Sequence, residues 1–399
     1  MSTMAYEVMR NPLFIELQQA ILGQRITIAN LYQLLPEWEP RTHKDYERMR
    51  DKVLNPWIRR WMEDEKLIQK MQKANFALFA AVLCHDSSFE KLCTVAKYFA
   101  WYFVWDDTLK YSVFDCGTLQ LNPSAASGYR EASLAYFRHV LLRDGDFPDL
   151  SMFSTELQKA LHCWDEVGEH ICQECSRDCC QLLLDRMLEY VGSVDTIDSL
   201  FSDGKIPNLE TYWKRREHTA AVHCVIATIP FAYGIDVSRS VLDNKNMALL
   251  WKHASYIVHI TNDMFSFRKE FNNGQLENMI PILMANIGVN CNQAMQLSYR
   301  ICRQEVEGFN ANANRLLKDK NESSRQISRA FIEGCKDVFM GLIHWSYNGE
   351  RYFKAIEIGS NHFIRFQINP PSYQAVNTEG AKVAGPGPGA AAVGGSGTV

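Results

Sequence analysis

From Met247 to Phe271 the chain runs without a Gly or Pro, and its apolar residues recur on almost every side of a helical turn. Ile257, Ile260, Met264, Phe265 and Phe267 leave little of this helix to water, so it belongs in a protein interior. Polar side chains inside such a helix need a reason. Asn262, Ser266 and Glu270 are spaced four apart, so each stands one turn beyond the last, within a shared arc of roughly 80°. One amide oxygen, one hydroxyl and one carboxylate in a column make a hard-oxygen ligand set. Such a set suits Mg²⁺, which takes a few protein ligands and completes its octahedron with water and phosphate oxygens. Polar residues at this spacing also mark an ordinary solvated helix face, but the apolar neighbours argue against that here.

Helical periodicity dominates the rest of the chain and strand alternation is scarce. Helices are expected over 11–35 (with a break at Gly23), 42–61, 63–84, 89–111, 131–142, 151–191 and 208–229. Further helices are expected over 238–271, 277–286, 291–310, 323–348 and, briefly, 349–357. A dozen helices without strands make an all-α fold, a large helical bundle. Residues 1–376 are expected to form one α-helical domain. The Gly/Ala/Pro-rich stretch 377–399 holds 7 of the 22 Gly and has too little apolar surface to order itself, so it is expected to be a disordered tail.

A formal charge of −4, with Lys and Arg mixed among acids, gives no argument for nucleic acid. No apolar run approaches the roughly 18 residues needed to span a bilayer. The first residues, Met1 to Glu7, lack the layout of a signal peptide. Twelve Cys set in helical apolar patterns read as reduced thiols, which points to the cytoplasm. Cys172 and Cys175 have zinc-like spacing, yet no second such pair follows, and Cys179 and Cys180 point about 100° apart on a helix. These four are expected to be buried or half-buried thiols.

A second acidic site closes the aromatic run that ends Phe103-Val104-Trp105-Asp106-Asp107. Carboxylates beside so apolar a stretch are costly unless a cation or an Arg meets them. Asp106 is expected to take metal and Asp107 to pair with a base or sit at the rim, the two roles being interchangeable. Basic counterparts exist. Arg215 and Arg216 lie in an otherwise apolar helix, Arg351 and Tyr352 put a guanidinium beside a phenol, and Lys269 lies within the acidic column. An Arg fork suits phosphate because it donates two hydrogen bonds at once.

Taken together, these residues resemble the class I terpene synthases of the microbial single-domain type, most closely a fungal sesquiterpene synthase. Asn262-Asp263-x-x-Ser266-x-x-x-Glu270 matches that family's second metal motif, with Lys269 in its usual place. Arg351-Tyr352 resembles its C-terminal Arg-Tyr pair, and Arg216, 46 residues before Asn262, stands where the family keeps its diphosphate-sensing Arg. Thr219 and Ala220 then fall at the linker and effector positions, and Asp106-Asp107 falls at the first acidic motif. The resemblance covers about residues 50–360. One departure is Lys110, where the family usually has an acid or amide three residues after the Asp pair.

The resemblance implies a bundle around an aromatic-lined cavity and a reaction on farnesyl diphosphate with three Mg²⁺, Mn²⁺ being an alternative ion. Asp106, Asp107, Asn262, Ser266 and Glu270 would hold metal. Arg216, Lys269, Arg351 and Tyr352 would bind the diphosphate, with Thr219 and Ala220 linked to catalysis through Arg216. Phe76, Phe79, Trp101, Tyr102, Trp105 and Trp345 are the candidate lining for a carbocation, which aromatic faces stabilise. The product would be a sesquiterpene hydrocarbon or alcohol made by a monomer or homodimer. Alternatives are a diterpene synthase or chain-elongating prenyltransferase of the same fold, or a non-catalytic diphosphate-binding or scaffold protein.

Overall fold

The structure is a computed structural model that describes residues 12–109, 123–193, 206–272 and 275–368, without the side chains of 106–109, 123, 125 and 126. In chain order the helices are α1 (Pro12–Ile21), α2 (Tyr46–Met49), α3 (Asn55–Trp61), α4 (Glu65–Ala74), α5 (Phe76–Leu83) and α6 (Phe89–Leu109). Next come α7 (Pro123–Leu142), α8 (Thr155–His162), α9 (Asp165–Glu174), α10 (Arg177–Ser193), α11 (Leu209–Thr219) and α12 (Val222–Ile226). The last are α13 (Ile229–Tyr233), α14 (Arg239–Leu242), α15 (Lys245–Asn272), α16 (Met279–Ile287), α17 (Cys291–Leu316) and α18 (Glu322–Asn348).

Helix α15 is the axis of the bundle. It packs against α11, α12, α16, α17 and α18, which explains why its sequence is apolar all round. Phe265 and Phe267 are buried to within 1% of their surface, and each stabilises the fold by about 2–3 kcal/mol. Polar residues in α15 divide into two kinds. Thr261 is buried but spends its hydroxyl on its own helix, donating to the carbonyls of Ile257 (2.7 Å) and Val258 (3.0 Å). Asn262, Ser266 and Glu270 are not satisfied in that way, and they form the candidate functional face.

Several expected helices are interrupted, each for a local reason. The stretch 11–35 is not one helix: Gly23, at φ 75°, ends it after α1. Arg25–Ile28 then forms strand β1, antiparallel to β2 (Ile364–Gln367), with Arg25 opposite Gln367 and Ile28 opposite Ile364. An all-helical reading misses this ribbon because its partner lies some 340 residues away. The stretch 63–84 breaks at Asn75, which is left-handed at φ 54°. The stretch 151–191 comprises three helices, α8, α9 and α10, and 208–229 is divided between α11 and α12. Ala221 makes that last break by adopting φ 56°, a strained conformation for a residue with a Cβ that costs about 1–2 kcal/mol.

Among the described residues no helix is long and apolar enough to cross a membrane. The stretch 377–399 and Lys110 lie outside the described residues. Cys172, Cys175, Cys179 and Cys180 are free thiols at the α9–α10 junction, with the Cys180 and Cys172 Sγ atoms 3.9 Å apart.

Candidate active site

Asn262 and Glu270 of the α15 column line a cavity of about 240 Å³ between α5, α6, α10, α11, α12, α15 and α18, whereas Ser266, between them, is not among its lining residues. Along α15 the wall changes from Val258 and His259 through Asn262 to Lys269 and Glu270. At 1.5 Å per residue this spans about 18 Å from an apolar end to a charged one. The cavity wall is also rich in aromatic rings: Phe76, Phe79, Phe99, Tyr102, Phe103, Tyr190 and Trp345 all line it.

Four of the six expected lining aromatics are therefore in place: Phe76, Phe79, Tyr102 and Trp345. Trp101 and Trp105 are not. Both lie roughly 120–160° round α6 from Phe99 and Phe103, on a face packed against other helices. The Trp101 indole donates to the Ala160 carbonyl (2.9 Å) and the Trp105 indole to Ser133 Oγ (3.3 Å). Phe99, Phe103 and Tyr190 take the places expected of them. Helical spacing would have pointed to Phe99, three residues before Tyr102, and to Phe103, four after Phe99, whereas nothing in the sequence marks Tyr190.

A buried polar lattice positions the charged end. Asp263 is fully buried and accepts from Arg216 Nη2 (2.5 Å), the Tyr212 hydroxyl (2.6 Å) and the Met279 backbone N–H (2.6 Å). Met279 opens α16, so this carboxylate also meets the positive end of a helix whose first N–H groups lack partners. Burial works against the Arg216 charge, but Asp263, Tyr212 and Glu270 outweigh it and hold its pKa above the ordinary value. Arg216 Nη2 also lies 3.4 Å from Asn262 Oδ1.

Asn278 fixes the other end of the column. Its Oδ1 accepts from the Ile280 N–H (2.9 Å), capping α16, while its Nδ2 donates to the Asp263 carbonyl (2.8 Å) and to Glu270 Oε2 (2.9 Å). Burial, and then the nearby Asp263 charge, push the Glu270 carboxyl above the usual range; Arg216, Asn278 and Ser266 pull it back. Among the described residues the buried Ser266 hydroxyl has no hydrogen-bond partner at normal geometry. A half-buried carboxyl with a raised pKa, a hydroxyl with no partner at normal geometry and an amide oxygen with only a long contact fit a hard divalent cation.

The end of the chain completes the site. Tyr352 accepts from Asn262 Nδ2 (3.0 Å) and from Arg351 Nε (3.2 Å). The Arg351 guanidinium lies 4.5 Å from the Phe103 ring centre. A clip from α15 anchors this turn: Arg268 donates to both Glu357 oxygens (2.5 and 3.0 Å) and to the Tyr352 carbonyl (3.0 Å). Thr219 and Ala220 line the cavity at the α11–α12 break, and among the described residues no donor reaches the Ala220 carbonyl. Asp106 and Asp107 lie in the last turns of α6 by their backbone, with side chains outside the described set.

Tyr212, Asn278 and His259 were not singled out from sequence, and Asp263 stood in the α15 motif without an assigned role. The pairing of Asp263 with Arg216 had a signal, since a buried Arg needs a counter-charge; Asn278 had none. A second cleft, of about 330 Å³, lies between α10, α14 and α15. It holds mixed acids and bases such as the Arg186–Glu189 pair (2.8 Å) and none of the motif residues.

The terpene synthase family 2, C-terminal metal binding, matches residues 97–308, more than half of the chain. A sesquiterpene cyclase of Aspergillus oryzae (hepA) is 24% identical over 341 residues, covering 84% of this chain and 91% of its own. A silphinene synthase of Penicillium patulum (peniA) is 25% identical over 294 residues, 73% of this chain and 76% of its own. Among solved structures, germacradien-4-ol synthase from Streptomyces citricolor superposes with a TM-score of 0.63 at 16% identity, over 77% of this chain and 98% of its own. An α-eudesmol synthase superposes with a TM-score of 0.65 at 18% identity, over 78% of this chain and 97% of its own. The helical bundle and the cavity that takes the α15 motif agree with these likenesses, and the chain belongs to the metal-binding class I terpene synthases, most like those of fungi that make sesquiterpenes.

Proposed function

We propose that the protein is a Mg²⁺-dependent sesquiterpene synthase that ionises farnesyl diphosphate and cyclises the resulting cation. The observation that carries this reading is one cavity whose wall combines charged and polar groups from α11, α15 and the turn after α18 with a set of aromatic rings. Asn262, Ser266 and Glu270 would hold Mg²⁺ on one side and Asp106, with Asp107 beside it, on the other. Three such ions would supply Lewis-acid stabilisation of the departing diphosphate.

The protein's own groups do the rest. Arg216, Lys269, Arg351 and Tyr352 orient the diphosphate oxygens at the charged end. Arg216 is held charged by Asp263, and its helix ends at Thr219 and Ala220, so movement of Arg216 toward an anion is passed to the cavity wall at the strained Ala221. The Ala220 carbonyl offers a partial negative charge there. Phe76, Phe79, Phe99, Tyr102, Phe103 and Trp345 exclude water and present π-faces to the cation, each contributing about 0.5–2 kcal/mol.

The substrate class is tested by incubating the protein with C10, C15 and C20 prenyl diphosphates and Mg²⁺ and analysing volatiles by mass spectrometry. A cyclised C15 product as the main outcome supports the reading. A C20 product points to a diterpene synthase, a linear longer diphosphate to chain elongation, and no product from any substrate to a non-catalytic binder.

A further inference from the structure

His259 stands one turn before Asn262 on α15 and lines the cavity, yet none of the roles above uses it. It is fully buried, and among the described residues neither ring nitrogen has a hydrogen-bond partner. Buried polar atoms in folded proteins are nearly always paired, so an imidazole with both nitrogens free is unusual enough to require a reason. The rings of Trp213 and Tyr256, centred 5.3 and 5.2 Å away, pack around it and offer shape without hydrogen bonds.

The other titratable groups in the wall are engaged. The Tyr102 hydroxyl bonds that of Tyr98, Tyr352 bonds Asn262 and Arg351, Glu270 bonds Asn278, and Arg216 is paired with Asp263. Burial, followed by the charge of Arg216, drives the His259 pKa well below its ordinary value, so the ring is neutral and one nitrogen keeps its lone pair. An apolar cavity that shelters a carbocation has one unfilled need: something must take the proton when the reaction ends.

We propose that His259 is the proton acceptor that terminates the cation in this cavity. The assignment rests on the cyclase reading above. In the step, a C–H bond next to the cationic carbon breaks and its electron pair becomes the new C=C bond. The proton forms an N–H bond on the unprotonated ring nitrogen. The imidazolium so formed is disfavoured beside Arg216, and it gives up its proton to the released diphosphate or to water as the product leaves.

The test is the product ratio of His259→Phe, which keeps a ring and removes the lone pair, with His259→Gln as a second variant that keeps a polar head. Each variant is checked for folding by circular dichroism and then assayed with farnesyl diphosphate and Mg²⁺. The ratio of the main wild-type olefin to all other olefins and alcohols is expected to fall about 100-fold, the low end of general-base contributions. A merely structural role would lower the melting temperature and total turnover while leaving that ratio alone. An unchanged ratio in either folded variant overturns the assignment while the cyclase reading stands. A wild-type protein that consumes no farnesyl diphosphate removes both.

Discussion

Replacing Asp263 by Asn tests the lattice beneath the site, because Asp263 is the counter-charge of Arg216. The side chain of Asp263 is fully buried and that of Arg216 keeps 16% of its surface exposed. Asn keeps the shape but leaves the guanidinium uncompensated, and it accepts only part of what the carboxylate takes from Arg216, Tyr212 and the Met279 N–H. Breaking a buried pair from one side costs about 3–5 kcal/mol, and the residual exposure of Arg216 places this case at the low end, about 3 kcal/mol. With about 2 cal/mol/K of unfolding entropy per residue over a domain of this length, that is a drop of about 4 °C in Tm. The assay is thermal unfolding followed by circular dichroism. The double variant Arg216→Met/Asp263→Leu removes both charges, so it is expected to recover part of the loss while remaining inactive. An Asp263→Asn melting point within 1 °C of wild type, or a double variant less stable than the single one by the same amount again, would refute the reasoning (1 °C corresponding to roughly 0.7 kcal/mol).

Other expectations follow from the same geometry. Mg²⁺ with inorganic diphosphate at about 100 times its Kd is expected to add about 2.7 kcal/mol of stability to wild type. Asn262→Ala and Glu270→Ala should lose both that thermal shift and turnover while keeping the helical signal, and full activity in either would mean the column is misassigned. Arg268→Ala should free the turn that carries Arg351 and Tyr352, costing about 1 kcal/mol of stability and raising KM several-fold. Its hydrogen bonds hold Glu357 below the usual carboxyl range, so the clip contributes fully above the ordinary glutamate pKa and is lost as pH falls through the lowered one. Urea midpoints of wild type and Arg268→Ala that stay parallel with falling pH would contradict this. Phe103→Leu removes the ring 4.5 Å from the Arg351 guanidinium and should weaken diphosphate binding about fivefold, as a cation–π contact of about 1 kcal/mol requires; an unchanged Kd by calorimetry would show the contact to be idle.

The features legible in the sequence were those with a short repeat. The column of α15, its all-round burial and the helical bundle all follow from periods of three to four residues. Arg216 and Arg351-Tyr352 were legible because their residue types suit an oxyanion, and the folded chain brings both to Asn262. What escaped depended on distance or on rotation about a helix. The β1–β2 ribbon needs a partner from the far end of the chain. Trp101 and Trp105 share a helix with Tyr102 but turn to another layer, where the Ala160 carbonyl and Ser133 satisfy their indoles. Asn278 is an ordinary helix cap until α16 docks on Asp263. His259 carries no sequence signal at all, since its meaning lies in what it fails to bond.

The central claim is that the α15 column binds metal with diphosphate. It is tested most directly by anomalous diffraction from crystals grown with Mn²⁺ and inorganic diphosphate. The account predicts Mn²⁺ density at about 2.0–2.3 Å from oxygens of Asn262, Ser266 and Glu270, with Arg216 and Arg351 on the diphosphate. Diphosphate bound in the cavity with no metal on that column, or metal found only in the cleft by Asp178 and Asp185, would contradict it.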